Sequence, residues 1–402
     1  MWLVLLLLIA QSVDYQAEGI KALDAKQYDS AVDLFTKAVA AAPGDYVPHF
    51  HLALAYSLLG KDTEAIAQYK TTLELQPGLY EAELNIGISL LRTKNVNGAL
   101  PYLKAASEKK PNEFRPVSYY AQALLDKAQF SEAEAAFQKA IALNAKSAPA
   151  ELGLGQAMAR QGRLTDAEPH YQKAAALDPA YKSTLLQLAE LYEQKHQTAE
   201  AIAIYRGFPE NPGAQERMGA LLSESGHAAD GIPALEMAVG KSPTAANRVA
   251  LAQAYVKNNQ PDKAVPLVAQ ALAAEPDDFE LRMYYGRLLR DQRKFPEAVA
   301  QFQAAAKLQP KEVKPWNETA GVLIVAEQYP QALAALDRVK ALGGETVGHY
   351  YMRAISLDHL HILKDALASY KQFLDAAQGK FPDEEFKARQ RARIIQNELN
   401  KK

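Results

Sequence analysis

One spacing governs this chain. Alanines stand 34 residues apart at Ala31, Ala65, Ala99, Ala133, Ala167 and Ala201. After an interval of 30 residues to Gly231 and one of 33 to Ala264, the spacing resumes through Ala298, Ala332 and Ala366, which makes eleven registers. Self-similarity at one fixed period means that a single supersecondary unit is stacked on copies of itself, so the repeat, not the total length, sets the fold.

Other positions keep the same spacing. Four residues after the anchors stand Phe35, Tyr69, Leu103, Phe137, Tyr171, Tyr205, Leu235, Val268, Phe302, Leu336 and Tyr370, all able to fill a core. Twelve residues before them the side chains are uniformly small: Gly19, Ala53, Gly87, Ala121, Gly155, Ala189, Gly219, Ala252, Gly286, Ala320 and Ala354. A small residue lets two helix backbones approach closely. Twelve residues after seven of the anchors comes a proline (Pro43, Pro77, Pro111, Pro179, Pro243, Pro276 and Pro310), which stops one helix before the next unit begins.

This pattern resembles the tetratricopeptide repeat family, a 34-residue helix–turn–helix with small residues at its eighth and twentieth positions, an aromatic at the twenty-fourth and a proline at the thirty-second. The resemblance implies an all-α fold: an α-solenoid, coiled as a right-handed superhelix, of about eleven repeats over residues 12 to 380. Departures are local. Thr72, Phe208, Val339 and Phe373 replace the usual alanine at the twenty-seventh position, and repeats four, ten and eleven lack the closing proline. Pro169, Pro101, Pro233 and Pro266 each sit two residues past an anchor, and are expected near the start of a second helix where backbone N–H groups have no intrahelical partner. Thr165 with Glu168, and Ser131 with Glu134, read as capping boxes. His170, beside Pro169, shares no recurrent partner and is expected to be a solvated helix residue.

Composition narrows the function. With 45 basic against 47 acidic residues the formal net charge is −2, which leaves no general electrostatic footprint for nucleic acid. Cysteine is absent, excluding disulfides, thiolate metal sites and cysteine nucleophiles. The apolar run Trp2 to Ala10 is too short to span a membrane and resembles the core of a secretory signal, with Ala10 and Ser12 placed for cleavage before Val13. Residues 1–12 are thus expected to direct export to a periplasmic or envelope-associated site, the alternative being a cytosolic protein with an apolar segment lying on the first repeat. A bacterial source is inferred from overall resemblance alone.

The period has one large break. Four residues are missing between Ala201 and Gly231, and Arg206 to Ala214 concentrates glycine and proline where a second helix should continue, so that helix is expected to end early. Residues 13–211 (repeats one to six) and 212–380 (seven to eleven) are then either two stiff segments with an altered angle or hinge, or one superhelix with a local kink. Residues 381–402 read as a capping helix: Asp383, Glu384 and Glu385 at its start and Arg389, Arg391, Arg393 and Lys401 later match the helix dipole. Ala388, Ala392, Ile395 and Leu399 form its apolar stripe.

No catalytic motif emerges. Gly153 and Gly155 have dinucleotide-loop spacing, but no strand precedes them and Gly155 is a repeat position. His359 and His361 point to different helix faces and make a poor metal pair with or without His349. No cofactor is implied, and the repeats leave no room for a catalytic domain.

Binding remains. In the family, the first helices line a concave groove whose variable second, fifth, ninth, twelfth and thirteenth positions face the ligand. Carried onto this sequence, these positions give Phe50, Leu54, Leu84, Ile88 and Leu91 in repeats two and three, either an apolar trough or packing between adjacent repeats. Repeats four and five offer Arg115, Ser118, Gln122, Gln156 and Arg160, and repeats nine and ten Met283, Arg287, Arg290, Lys314 and Asn317. No three consecutive repeats supply the two-carboxylate clamp of chaperone-binding members. The expectation is a non-enzymatic scaffold binding a peptide or helical segment of a partner protein, within an exported or membrane-associated assembly. The alternative is a regulatory or substrate-recruiting subunit of a separate cell-envelope or glycan-processing enzyme.

Overall fold

The structure, a computed structural model, describes residues 14–400. The signal-like segment lies outside the described residues. The chain divides into two compact units, Met1–Ile204 and Tyr205–Lys402. In the first, helices alternate as α1 (Tyr15–Asp24), α2 (Tyr28–Ala41), α3 (Tyr46–Leu58), α4 (Asp62–Leu75), α5 (Tyr80–Arg92), α6 (Val96–Lys109), α7 (Phe114–Asp126), α8 (Phe130–Leu143), α9 (Ala148–Arg160), α10 (Leu164–Leu177) and α11 (Thr184–Gln194). The division falls within α12 (Thr198–Arg206). The second unit holds α13 (Pro212–Glu224), α14 (Ala228–Lys241), α15 (Ala245–Lys257), α16 (Pro261–Ala274), α17 (Phe279–Asp291), α18 (Phe295–Leu308), α19 (Lys314–Val325), α20 (Tyr329–Ala341), α21 (Val347–His359), α22 (Leu363–Ala377) and α23 (Pro382–Asn400). Within each unit, consecutive helices pair and successive pairs pack on one another, which is an all-α solenoid.

A second regularity lies in the turns. The residue five before every anchor is left-handed: Lys26, Gly60, Lys94, Ala128, Gly162, His196, Gly226, Asn259, Arg293, Glu327 and His361 all have φ between 55° and 88°. Only three are glycine. At each, the following N–H closes a six-residue loop onto the first helix, as Gln129 N donates to Leu124 O at 2.9 Å and Arg163 N to Met158 O at 3.1 Å. With Ala128 N donating to Leu125 O at 2.9 Å, this is a Schellman closure, which satisfies carbonyls that a helix end leaves open. The residue that completes it is the N-cap of the second helix, so one turn ends one helix and starts the next.

Helix starts therefore differ by type. Most first helices, though not α5, α7, α11 and α19, carry side-chain caps: Asp45 accepts from Val47 N at 3.0 Å, Asn211 from Ala214 N at 2.9 Å and Asp278 from Leu281 N at 2.9 Å. Second helices mostly do not, and this corrects two expectations. α8 and α10 begin at Phe130 and Leu164 after the uncapped residues Gln129 and Arg163, so Ser131 and Thr165 lie inside their helices and form no capping box. Pro101, Pro169, Pro233 and Pro266 also lie within their helices. Each is the sixth helical residue, past the unpaired first turn, and removes one ladder hydrogen bond.

The core follows the spacing. The anchor alanines from Ala31 to Ala366 are fully buried. A Cβ on Gly286 would stand 2.5 Å from the Phe302 ring, and one on Gly231 would stand 2.5 Å from the Gly219 carbonyl oxygen. These positions are small because the opposing helix already occupies the space. α12 has nine residues where most second helices have fourteen, the early end that Gly207 and Pro209 impose.

His170 is not simply solvated. Its Nδ1 lies 2.8 Å from Glu151 Oε2, and Lys173 Nζ lies 2.5 Å from the other oxygen of this fully buried carboxylate. The same two repeat positions hold His49 with Gln68 at 2.8 Å and Arg282 with Gln301 at 3.1 Å. The recurrent partner exists, but its chemistry changes from repeat to repeat. Among the described residues no helix is long and apolar enough to cross a membrane.

Candidate interaction clefts on the first helices

Side chains along the repeats divide by what they touch. Charged groups fasten the stack both between and within repeats: Arg92 reaches Asp62 of the preceding repeat at 2.5 Å and Arg163 pairs with Glu134, while Lys109 reaches Glu83 of its own repeat at 2.6 Å. Such pairs are used up in stacking. The expected ligand-facing residues must be judged by whether they are free of this work.

The apolar set of repeats two and three is not free. Leu84 and Ile88 are only 4% and 6% exposed and belong to a core cluster with Tyr69, Ile86 and Leu103. Phe50 and Leu91 pack on the same cluster, and the Phe50 ring lies 5.9 Å from that of Tyr69. Leu54 is half-buried. Of the two arrangements these residues allowed, packing between adjacent repeats is the one observed. A glutamate at position 88 would bury an unpaired charge and unfold its neighbourhood, so Ile88→Glu reports on stability before binding.

The later positions do converge. In the first unit, Gln122 on α7, Gln156 and Arg160 on α9, and Gln187 and Glu190 on α11 line an open cleft of about 790 Å³. Gln122 donates to Asp126 at 2.7 Å, whereas Arg160 is exposed. Burial pushes the Tyr171 hydroxyl pKa up at this cleft, and the nearby Arg160 charge draws it back. Arg115 and Ser118 do not line it.

In the second unit, α17 and α19, with Met352 of α21, enclose a cleft of about 720 Å³. Four of its residues, Met283, Arg287, Arg290 and Asn317, belong to the expected set, together with Lys314. Met283 is 1% exposed and forms the floor with buried Val322. Arg290 is already engaged, at 2.6 Å from Glu318 on α19 and 2.9 Å from Asp291. Among the described residues, the side chains of Arg287, Arg293 and Lys314 have no ion-pair or hydrogen-bond partner. The Asn317 amide oxygen is buried without a protein hydrogen-bond partner.

Among the lining residues that escaped the sequence reading, two stand out. Arg293 is the left-handed turn residue, outside the family's ligand-facing positions, and nothing in composition marks it. Gly321 occupies the ninth position of its repeat, the place of Gln122, Gln156 and Arg287, but offers no side chain to notice.

Comparison with known proteins agrees with the repeat. Two tetratricopeptide repeat models match residues 121–182 and 249–313, and 22–84 and 158–224. A small glutamine-rich tetratricopeptide repeat-containing protein 2 from Mycosarcoma maydis is 27% identical over 104 residues, 26% of this chain and 30% of that protein. The match thus spans less than a third of the relative's length. Among solved structures, MamA from Desulfovibrio magneticus RS-1 is 23% identical with a TM-score of 0.39, over 41% of this chain and 94% of that one. MamA from AMB-1 is 25% identical with a TM-score of 0.40, over 42% and 99%. With the repeat models together matching more than half of its 402 residues, and with its helices paired on the same period, the chain belongs to the tetratricopeptide repeat family.

Proposed function

We propose that this protein is a non-enzymatic interaction scaffold that holds an extended or helical segment of a partner along the first helices of its repeats. One observation carries the reading. Where Arg92 and Arg163 are spent on joining repeats, the cleft of α17 and α19 gathers three cations without an ion-pair partner, over an apolar floor. An apolar floor supplies affinity and the surrounding polar groups supply orientation.

A photo-crosslinking residue placed in cells at Gln156, Arg287 or Asn317 tests this, against controls at the exposed second-helix residues Lys104 and Gln303. Discrete adducts with one partner from the first three, and none from the controls, are expected. Adducts from the controls alone would move the binding surface to the second helices.

A further inference from the structure

Gly321 is a glycine that the fold does not need. It lies within α19, it does not take a left-handed conformation, and a Cβ built on it would meet nothing within 4 Å. It differs in this from Gly286, where an added Cβ would strike Phe302 at 2.5 Å. Glycine weakens a helix interior relative to alanine because it loses more conformational freedom on folding. Neither backbone nor packing returns that cost here. What glycine does provide is room, at the centre of a cleft whose other first-helix residue at this repeat position is the long side chain of Arg287.

The surroundings define what fits that room. Met283 and Val322 are buried beneath it, and Val325 beside it is 61% exposed, so the notch is apolar. Arg287, Arg293 and Lys314 are unpaired around it, while the one carboxylate that lines the cleft, Glu318, is held by Arg290 at 2.6 Å. The unneutralised charge is positive. Nucleic acid would need a longer basic track and stacking platforms, and the apolar floor favours a polypeptide.

We propose that the cleft of α17, α19 and α21 receives an acidic segment of a partner protein, with one apolar side chain seated over Gly321 and carboxylates on Arg287, Arg293 and Lys314. This rests on the groove reading above and gives it a partner chemistry. The Asn317 amide supplies a hydrogen-bonding group for the segment's backbone. Because the cations surround an open cleft, binding weakens as salt rises.

The test is selection of a displayed library of random peptides, about twelve residues long, on the full chain and on the Gly321→Ala, Gly321→Trp and Arg287→Glu/Lys314→Glu variants, with a random single-stranded DNA library in parallel. Circular dichroism confirms that each variant remains helical. The wild type is expected to enrich acidic peptides around a central apolar residue, and Gly321→Ala to shift that central residue to a smaller one. Gly321→Trp should bind those peptides at least about tenfold more weakly, a loss of about 1.4 kcal/mol. The double variant should enrich basic peptides instead. Peptides that lack acidic residues, or that bind Gly321→Trp unchanged, overturn this proposal and leave the groove reading intact. Enrichment of DNA but not peptides overturns the partner class. Failure of every surface to enrich any peptide overturns both readings.

Discussion

Ala128 and Gly162 occupy the same turn position one repeat apart, with φ of 64° and 81°. A left-handed backbone costs a residue with a Cβ about 1–2 kcal/mol, whereas glycine takes it freely but loses more entropy on folding. Ala128→Gly should therefore stabilise the protein by about 0.5–1 kcal/mol, and Gly162→Ala should destabilise it by a similar amount. Chemical denaturation of both variants measures this, and a loss of stability in Ala128→Gly would contradict the assigned turn. The core positions of the repeat were legible in the sequence because alanine and aromatic residues mark them. The turn was not, because Lys26, Lys94, His196 and Glu327 share no property except their place. The positions implied by the family brought Arg287 to Asn317 in one cleft and Gln122 to Gln156 in the other. They also gave Leu84 and Ile88, which the stacking of repeats buries. A position within a repeat fixes the face of a helix, but the neighbouring repeat decides whether that face is covered.

At the scale of the element, α23 shows how a solenoid closes its end. Its stripe was readable from helical spacing: Ala388 and Ile395 are fully buried, and Ala392 and Leu399 pack against the same cluster. Its polar fastening was not, since the partner lies 33 residues away in another helix. Arg391 donates to both oxygens of Asp358 on α21, at 2.6 and 2.7 Å, and Tyr370 OH donates to the same carboxylate at 3.1 Å. Burial alone would raise the Asp358 pKa, but the Arg391 hydrogen bonds and charge, with the Tyr370 hydroxyl, hold it below the usual aspartate value. A folded pKa lowered in this way gives stability that is full above the unfolded value, about 3.9, and is lost as pH falls through the folded value. Asp358→Asn should cost about 1–3 kcal/mol at neutral pH, discounted toward the lower end because Arg391 is 44% exposed. Hydrogen exchange should show the loss in residues 385–398 first, because a repeat array opens locally. The wild-type cap should loosen below about pH 4 in the same residues, while Asp358→Asn shows no such step. Uniform loss of protection along the chain would mean that the cap is not a separate opening unit.

For the whole molecule, the question is where cooperativity stops. In an array each repeat is stabilised by its own packing and by its neighbours, so the weakest junction sets the boundary of a folding unit. The short helix α12 and the turn that follows it place that junction near residue 205, where the chain divides into its two compact units. The sequence showed the break, and the second helix that it shortens, through a missing stretch of period and a run of glycine and proline. Each unit has hydrophobic cores of its own: one includes Tyr69, Ile86 and Leu103, and another includes Leu235, Leu251 and Val268. Arg206 is exposed at the end of α12, directly before Gly207, and presents a cleavable bond where few backbone hydrogen bonds hold the chain. Limited trypsin treatment should cut first after Arg206 and give two fragments of nearly equal size, each still helical by circular dichroism. Denaturant unfolding of the intact chain should then show two transitions that match those of the separated fragments. First cleavage elsewhere, or fragments that lose their helicity on separation, would show that cooperativity runs through α12 and that the repeats fold as one array.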